Sequence, residues 1–156
     1  MQNYLIDGNN VIGKSSKLFK LQSKDKQVAR NLLVPLIDRY LANKKISAII
    51  FFDGFPGEAI PFSKGKIVYS YNFTADEKIK SEITITNNRR NLTVVSSDNE
   101  IINFAKVCGC RVLTSEEFLK EANKRKNVDE EETKIEEMNK ETEEFKKLFG
   151  VKGKKS

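Results

Sequence analysis

Two short apolar runs, each stopped by the dipeptide Asp-Gly, constrain this chain more than any other feature. Tyr4-Leu5-Ile6 leads into Asp7-Gly8-Asn9-Asn10, and residues 46–52, apolar apart from Ser47, lead into Asp53-Gly54. Unbroken apolar runs of this kind suit strands covered on both faces, as in a parallel sheet. The glycine that follows lets the backbone turn sharply or come close to a ligand. Each aspartate then stands at the carboxyl end of its strand, the edge at which open parallel sheets bind ligands. Asp, Gly and Asn are also ordinary turn residues, so either copy alone reads equally well as a turn. Two copies side by side at one edge are a stronger signal.

The remaining segments alternate between helical and strand patterns. Apolar residues at Val28, Leu32, Leu36 and Tyr40, flanked by Leu33, Ile37 and Leu41, predict a helix from about Lys24 to Ala42 with one broad buried face. Pro35 should kink or restart it, and Asp38 reads as a solvated acid near its end. Phe55 to Gly65 is expected to be a loop, and Ile67 to Tyr71 a third strand. Thr74 and Glu77 have the spacing of a capping box, opening a helix to about Thr86. Asp76 falls in its first turn, where the helix dipole alone favours a carboxylate by roughly 0.3–1 kcal/mol. Leu92 to Val95 gives a fourth strand. Ser97 and Glu100 have capping-box spacing again, with Asp98 at the head of a helix that Gly109 ends. Arg111 to Leu113 is a short fifth strand, and Thr114 with Glu117 opens a helix through about Lys126. Strands alternating with helices predict an α/β fold with a five-stranded parallel sheet. Every acid named after a strand or at a helix start lies at one edge of that sheet.

Composition narrows the chemistry. A chain of 156 residues fits one domain with a single core. It contains no histidine, which excludes Ser-His-Asp, Cys-His and His-ligated metal sites. Cys108 and Cys110 are the only cysteines; they cannot complete a four-ligand zinc site and read as buried free thiols in a reducing compartment. No segment has the length of a membrane span, and the N-terminus lacks the basic-then-apolar order of a signal peptide, so a cytoplasmic location is expected. Net charge is +6; residues 127–156 hold seven Lys and nine Asp or Glu, a balance of −2, which leaves +8 on residues 1–126. A basic body around an acidic cluster suits an anionic polymer, although a lysine excess also serves solubility. We therefore expect one folded domain over residues 1–126 and a charged helical or disordered tail over 127–156.

Four carboxylates, Asp7, Asp53, Asp76 and Asp98, would repel one another if they converged, each close pair by roughly 4 kcal/mol at 4 Å and an effective dielectric of 20. Protonation or a divalent cation must offset this. A donor set of oxygens without nitrogen or sulfur favours Mg²⁺ or Mn²⁺, which can activate water against a phosphodiester. In its ordered pieces the chain resembles the NYN domains of the PIN-like nuclease superfamily, in particular the YacP-like branch. The matching pieces are Ile6-Asp7-Gly8-Asn9-Asn10-Val11-Ile12-Gly13, Ala29-Arg30 with Leu33, Phe52-Asp53-Gly54, Thr74-Ala75-Asp76-Glu77 with Ile79, and Ser96-Ser97-Asp98. Together they span roughly residues 3–122.

The resemblance implies strand order 3-2-1-4-5 and a metal-dependent endoribonuclease. It implies Asp7, Asp76 and Asp98 as metal-binding acids, with Asn10 in the surrounding shell and Asn9, Ser97, Glu77 and Glu100 beside them. The acid contributed from the second strand region varies in the superfamily, so Asp53 or Asp38 completes the set. Glu100 stands where the wider superfamily often has a second Asp, and it serves equally well as a cap. The family includes ribosome-associated nucleases acting on messenger RNA, so single-stranded RNA and the ribosome are the implied partners. Two other classes compete. One is an RNA- or ribosome-binding module without turnover, which predicts salt-sensitive RNA binding and no cleavage. The other is a phosphatase of small phosphorylated molecules, which needs a second Asp two residues after the first, where this chain has Asn9.

Overall fold

A computed structural model describes residues 1–127; the expected tail lies outside the described residues. The chain runs β1 (Gln2–Asp7), α1 (Gly8–Gly13), α2 (Ser16–Lys24), α3 (Lys26–Leu41), β2 (Ile46–Phe52), β3 (Gly65–Tyr69), α4 (Ala75–Ile85), β4 (Leu92–Val95), α5 (Asn99–Val107) and β5 (Arg111–Leu113). A 3₁₀ turn at Arg89–Asn91 leads into β4, and residues 115–127 form a further helix, α6. All four strand pairings are parallel, and the order is β3-β2-β1-β4-β5. Both the sheet and its order are those expected. The order reverses between β1 and β4, which places the ligand-binding crevice of such a sheet beyond their carboxyl ends.

Apolar side chains on the two faces of the sheet make two cores, and three layers result. On one face Ile6, Ala48, Ile50, Phe52 and Val95 pack against Val11 and Ile12 of α1, Leu33, Val34 and Ile37 of α3, and Phe118 of α6. On the other, Leu5, Phe51, Leu92 and Val94 pack against Ile79 and Ile83 of α4 and Ile101 and Ala105 of α5. Successive strand residues point to opposite faces, so Leu5 and Ile6 serve different cores, and the runs must be apolar without a break.

The structure corrects several local expectations. The stretch after β1 is helical, because Asp7 itself accepts from the Asn10 amide and caps α1. Gly8 is required there by close approach: a Cβ on it would stand 2.5 Å from the Phe52 ring and 2.7 Å from the Phe51 carbonyl oxygen. The helix expected from about Lys24 to Ala42 forms as α3, with Asp25 capping it through the Gln27 amide, and α2 precedes it where no helix was expected. Val28 and Leu32 are exposed, and the buried stripe runs through Ala29, Arg30, Leu33, Val34, Ile37 and Leu41, one position further along the chain. Pro35 lies within α3, at an exposed position. The third strand begins at Gly65 and ends at Tyr69, two residues earlier than its apolar pattern suggested; a Cβ on Gly65 would overlap the Ala48 carbonyl oxygen. The Thr74–Glu77 capping box forms as expected. The Ser97–Glu100 box does not, because Asp98 takes the cap, accepting from the Glu100 and Ile101 amides. Gly109 ends α5 with φ +86°, and both cysteines are free, but only Cys110 is buried, Cys108 being partly exposed.

Candidate active site

Asp7 ends β1 and is 7% exposed. Its Oδ2 accepts from the Ser96 hydroxyl at 3.0 Å and its Oδ1 from the Asn10 amide at 3.4 Å. Burial pushes its carboxyl up to about 6. The two hydrogen bonds pull the other way, and the charges of Asp53 and Asp98 push in the same direction as burial. Asp53 and Asp98, just beyond the ends of β2 and β4, thus both bear electrostatically on Asp7 at the end of β1. Asp53 and Asp98 are exposed, so this rim opens to solvent and does not close over a small ligand.

Asparagines and serines fix the rim. The Asp53 amide donates to Asn9 Oδ1 at 2.7 Å, tying the end of β2 to α1. Asn10 Oδ1 accepts from the Ser97 amide at 2.9 Å and from the Ser115 hydroxyl at 2.7 Å, tying the β4–α5 turn to the start of α6. The Ser97 hydroxyl donates to Glu116 and accepts from the Ser115 amide. The Ser96 hydroxyl donates to Asp7 while accepting from the Asp98 amide at 3.1 Å, so one side chain links two of the acids. Asn9, Asn10 and Ser97 of the expected shell therefore each accept a hydrogen bond from a backbone amide, and Asn10 takes the amide of Ser97 itself.

Asp53 Oδ1 accepts from the Ala75 amide at 2.7 Å, at the first residue of α4. This aligns the helix that carries Asp76. Asp76 Oδ2 is 3.5 Å from Lys80 Nζ, one turn on, and Lys80 donates to Glu100 at 2.7 Å. That Glu100 hydrogen bond, together with the Asp76 charge, holds the Lys80 ammonium above its usual range. Asp76 Oδ1 is buried and has no hydrogen-bond partner. Glu77 is spent on the cap of α4, accepting from the Thr74 amide and hydroxyl. Asp38 lies elsewhere: it accepts from the Ser63 amide and hydroxyl and anchors the β2–β3 loop. Of the two alternatives, Asp53 is the acid at the rim.

Sequence reasoning gave Arg30 no role. It is 2% exposed and donates to the Asp53 carbonyl at 2.8 Å and the Phe55 carbonyl at 3.0 Å. Its guanidinium lies 5.2 Å from the Phe52 ring centre and 5.1 Å from that of Tyr69. A buried guanidinium is costly without such partners, and here it clamps the turn that carries Asp53. A polar residue at a core-facing position of α3, between Ala29 and Leu33, was the available signal.

As placed, no three acids among the described residues stand close enough together to enclose a metal ion. Asp53 and Asp98 each commit Oδ1 to backbone amides, and Asp76 commits Oδ2 to Lys80. The donor chemistry nevertheless fits a hard divalent cation: every candidate is a carboxylate or amide oxygen, and Asp76 Oδ1 is a buried acceptor in want of a partner.

Comparisons with known proteins agree with this architecture. Two crystal structures of Rae1 (YacP) from Bacillus subtilis are similar. One superposes with a TM-score of 0.73 at 22% identity, covering 97% of this chain and 89% of that one. The other, of a single-substitution mutant, gives a TM-score of 0.70 at 23% identity, covering 84% and 80%. No curated protein sequence matches. The family described as the YacP-like NYN domain matches residues 4–151, past the stretch over which the motifs were read and past the change of composition near residue 126. The chain therefore belongs to the YacP-like NYN domain family, within the PIN-like nuclease superfamily.

Proposed function

We propose that this protein is a Mg²⁺- or Mn²⁺-dependent endoribonuclease that hydrolyses phosphodiesters of single-stranded RNA. Asp7, Asp53, Asp76 and Asp98 are its metal-binding and catalytic acids. The observation that carries the reading is the position of Asp7, Asp53 and Asp98 at or just beyond the carboxyl ends of β1, β2 and β4, where strand order reverses, with the Ser96 hydroxyl joining Asp7 to the Asp98 amide and the unpartnered Asp76 Oδ1 at the head of the adjoining helix. A divalent ion held there would supply charge neutralisation and polarise a phosphoryl oxygen.

The chain's own residues supply position. Ser96 and the Asn10 amide orient the Asp7 carboxylate, Asn9 and Arg30 fix Asp53 from both sides, and the Ala75 amide couples Asp53 to the helix bearing Asp76. Asn10 and Ser97 hold the β4–α5 turn so that Asp98 stays at the rim. The open rim and the +8 balance over residues 1–126 favour a polymeric anion over a small phosphate ester. Messenger RNA on the ribosome is the setting that the family resemblance suggests. No helix among the described residues is long and apolar enough to cross a membrane, and we place the protein in the cytoplasm.

Incubation of a single-stranded RNA with the protein in Mg²⁺, in Mn²⁺ and in EDTA tests this, with Asp7→Asn as control. Cleavage is expected with metal only and with the wild type only; equal cleavage by Asp7→Asn refutes the mechanism. The engagement of Asp76 by Lys80 favours a second reading, an RNA-binding module without turnover. That reading gives salt-sensitive binding and intact RNA in every metal.

A further inference from the structure

Beside the acids stands a group of aromatic side chains that the core does not use. Phe55 is 53% exposed, Tyr71 53% and Phe73 60%. Phe55 and Tyr71 meet edge to face with ring centres 5.3 Å apart, and the Phe73 ring carries Lys78 Nζ at 4.9 Å. Lys26 adds a second positive charge, its Nζ 3.7 Å from where a Cβ on Gly54 would stand. Exposed large apolar residues are unremarkable when scattered, but these three come from two segments that also carry the acids. Phe55 follows Asp53 by two residues and Phe73 precedes Asp76 by three. At no more than about 3.6 Å per residue the rings' backbones lie within roughly 11 Å of those acids.

The two segments form one fixed frame. The Ser70 amide donates to the Phe52 carbonyl, the Gly54 amide to the Ser70 hydroxyl, and the Tyr71 amide to the Gly54 carbonyl at 2.8 Å. Arg30 holds the Phe55 carbonyl from below. Tyr71 adopts φ +55°, a left-handed conformation that is costly for a residue with a large side chain. That conformation turns the chain so that Tyr71 meets Phe55 at the surface and is not buried beside Tyr69. Aromatic faces interleaved with ammonium groups, next to carboxylates that would engage phosphate through a bound cation, match the two requirements of single-strand binding: stacking for bases and positive charge for the backbone.

We infer that Phe55, Tyr71 and Phe73, with Lys26 and Lys78, form a stacking platform that binds the bases of single-stranded RNA next to the phosphate held at the acids. The platform selects an unpaired strand, because a base in a duplex has no free face to offer. This rests on the nuclease reading for the identity of the polymer, yet it is tested through binding alone.

The test uses the full chain in EDTA and fluorescence anisotropy with two probes of equal length: a fluorescein-labelled oligoribonucleotide and its abasic counterpart. Phe55→Ala and Phe73→Ala, both at exposed positions, are expected to weaken binding of the base-bearing strand about ten-fold or more each. Binding of the abasic strand should not change, and Phe73→Trp should restore affinity. Equal affinity of wild type and both alanine variants for the base-bearing strand overturns the platform, even where the wild type cleaves RNA in Mg²⁺. An equal loss for both probes also overturns it, since the rings would then serve the backbone or the fold. Base-dependent binding that the variants lose, in a protein that cleaves nothing, keeps the platform and removes the nuclease.

Discussion

Replacing Asp7 by Asn should make the protein more stable at neutral pH in EDTA, and the gain should vanish in acid. Burial raises the Asp7 carboxyl to about 6, against an ordinary value near 3.9 in the unfolded chain. The folded state therefore holds this proton more tightly than the unfolded state. The associated stability is fully present below about pH 4, declines as pH rises, and is gone above about pH 6. Two units correspond to about 3 kcal/mol. Asn keeps the shape and accepts from the Asn10 amide, while its Nδ2 can donate to the Ser96 hydroxyl, whose own proton must then find another acceptor. Allowing about 1 kcal/mol for that loss, Asp7→Asn gains roughly 2 kcal/mol at pH 7.5.

Urea unfolding followed by circular dichroism, for both proteins between pH 4 and 8, measures the difference. It should shrink to zero or reverse near pH 4. Mg²⁺ should then stabilise the wild type by mass action and leave Asp7→Asn unmoved. A variant less stable than wild type at pH 7.5, or a difference that ignores pH, would refute the argument that a buried charge is kept at the end of β1 at the expense of stability.

Two further perturbations separate the supporting residues. Arg30→Ala removes two hydrogen bonds to the Asp53 and Phe55 carbonyls and the contacts with Phe52 and Tyr69, and about 3 kcal/mol of stability should go with them; an unchanged urea midpoint would show that the clamp is idle. Lys80→Met frees Asp76 from its ammonium partner, so calorimetric titration should show tighter Mn²⁺ binding than wild type, and weaker binding would place Lys80 on the side of the metal.

Much of this molecule is legible because strand ends are chemically abrupt. An apolar run that stops at Asp-Gly marks both β1 and β2, and β4 and β5 fall where their patterns put them. Capping was harder to read. Ser97 and Glu100 have the right spacing, but the adjacent Asp98 is the better acceptor for two amides and takes the cap. The turn that Asp7-Gly8 suggested is instead the start of α1 for the same reason, since the aspartate read as a site residue is also a cap. α2 is obscure because its nine residues hold three apolar side chains, Leu18, Phe19 and Leu21, and Phe19 is exposed. Arg30 illustrates the opposite failure, a charged residue on a helix whose burial depends on aromatic rings and carbonyls contributed by β2, β3 and the turn after β2. Sequence spacing placed the four acids at one edge, whereas their division of labour among caps, a lysine and each other depends on side-chain directions that spacing does not encode.

Manganese binding tests most directly whether acids from four separate segments act on one ion. Titration of Mn²⁺ monitored by electron paramagnetic resonance should show loss of free-ion signal with the wild type. Single replacement of Asp7, Asp76 or Asp98 by Asn should each restore that signal at concentrations that saturate the wild type. Undiminished Mn²⁺ binding by Asp76→Asn and Asp98→Asn would mean that the carboxylates share a rim but not a cation, and the proposed chemistry would have no centre.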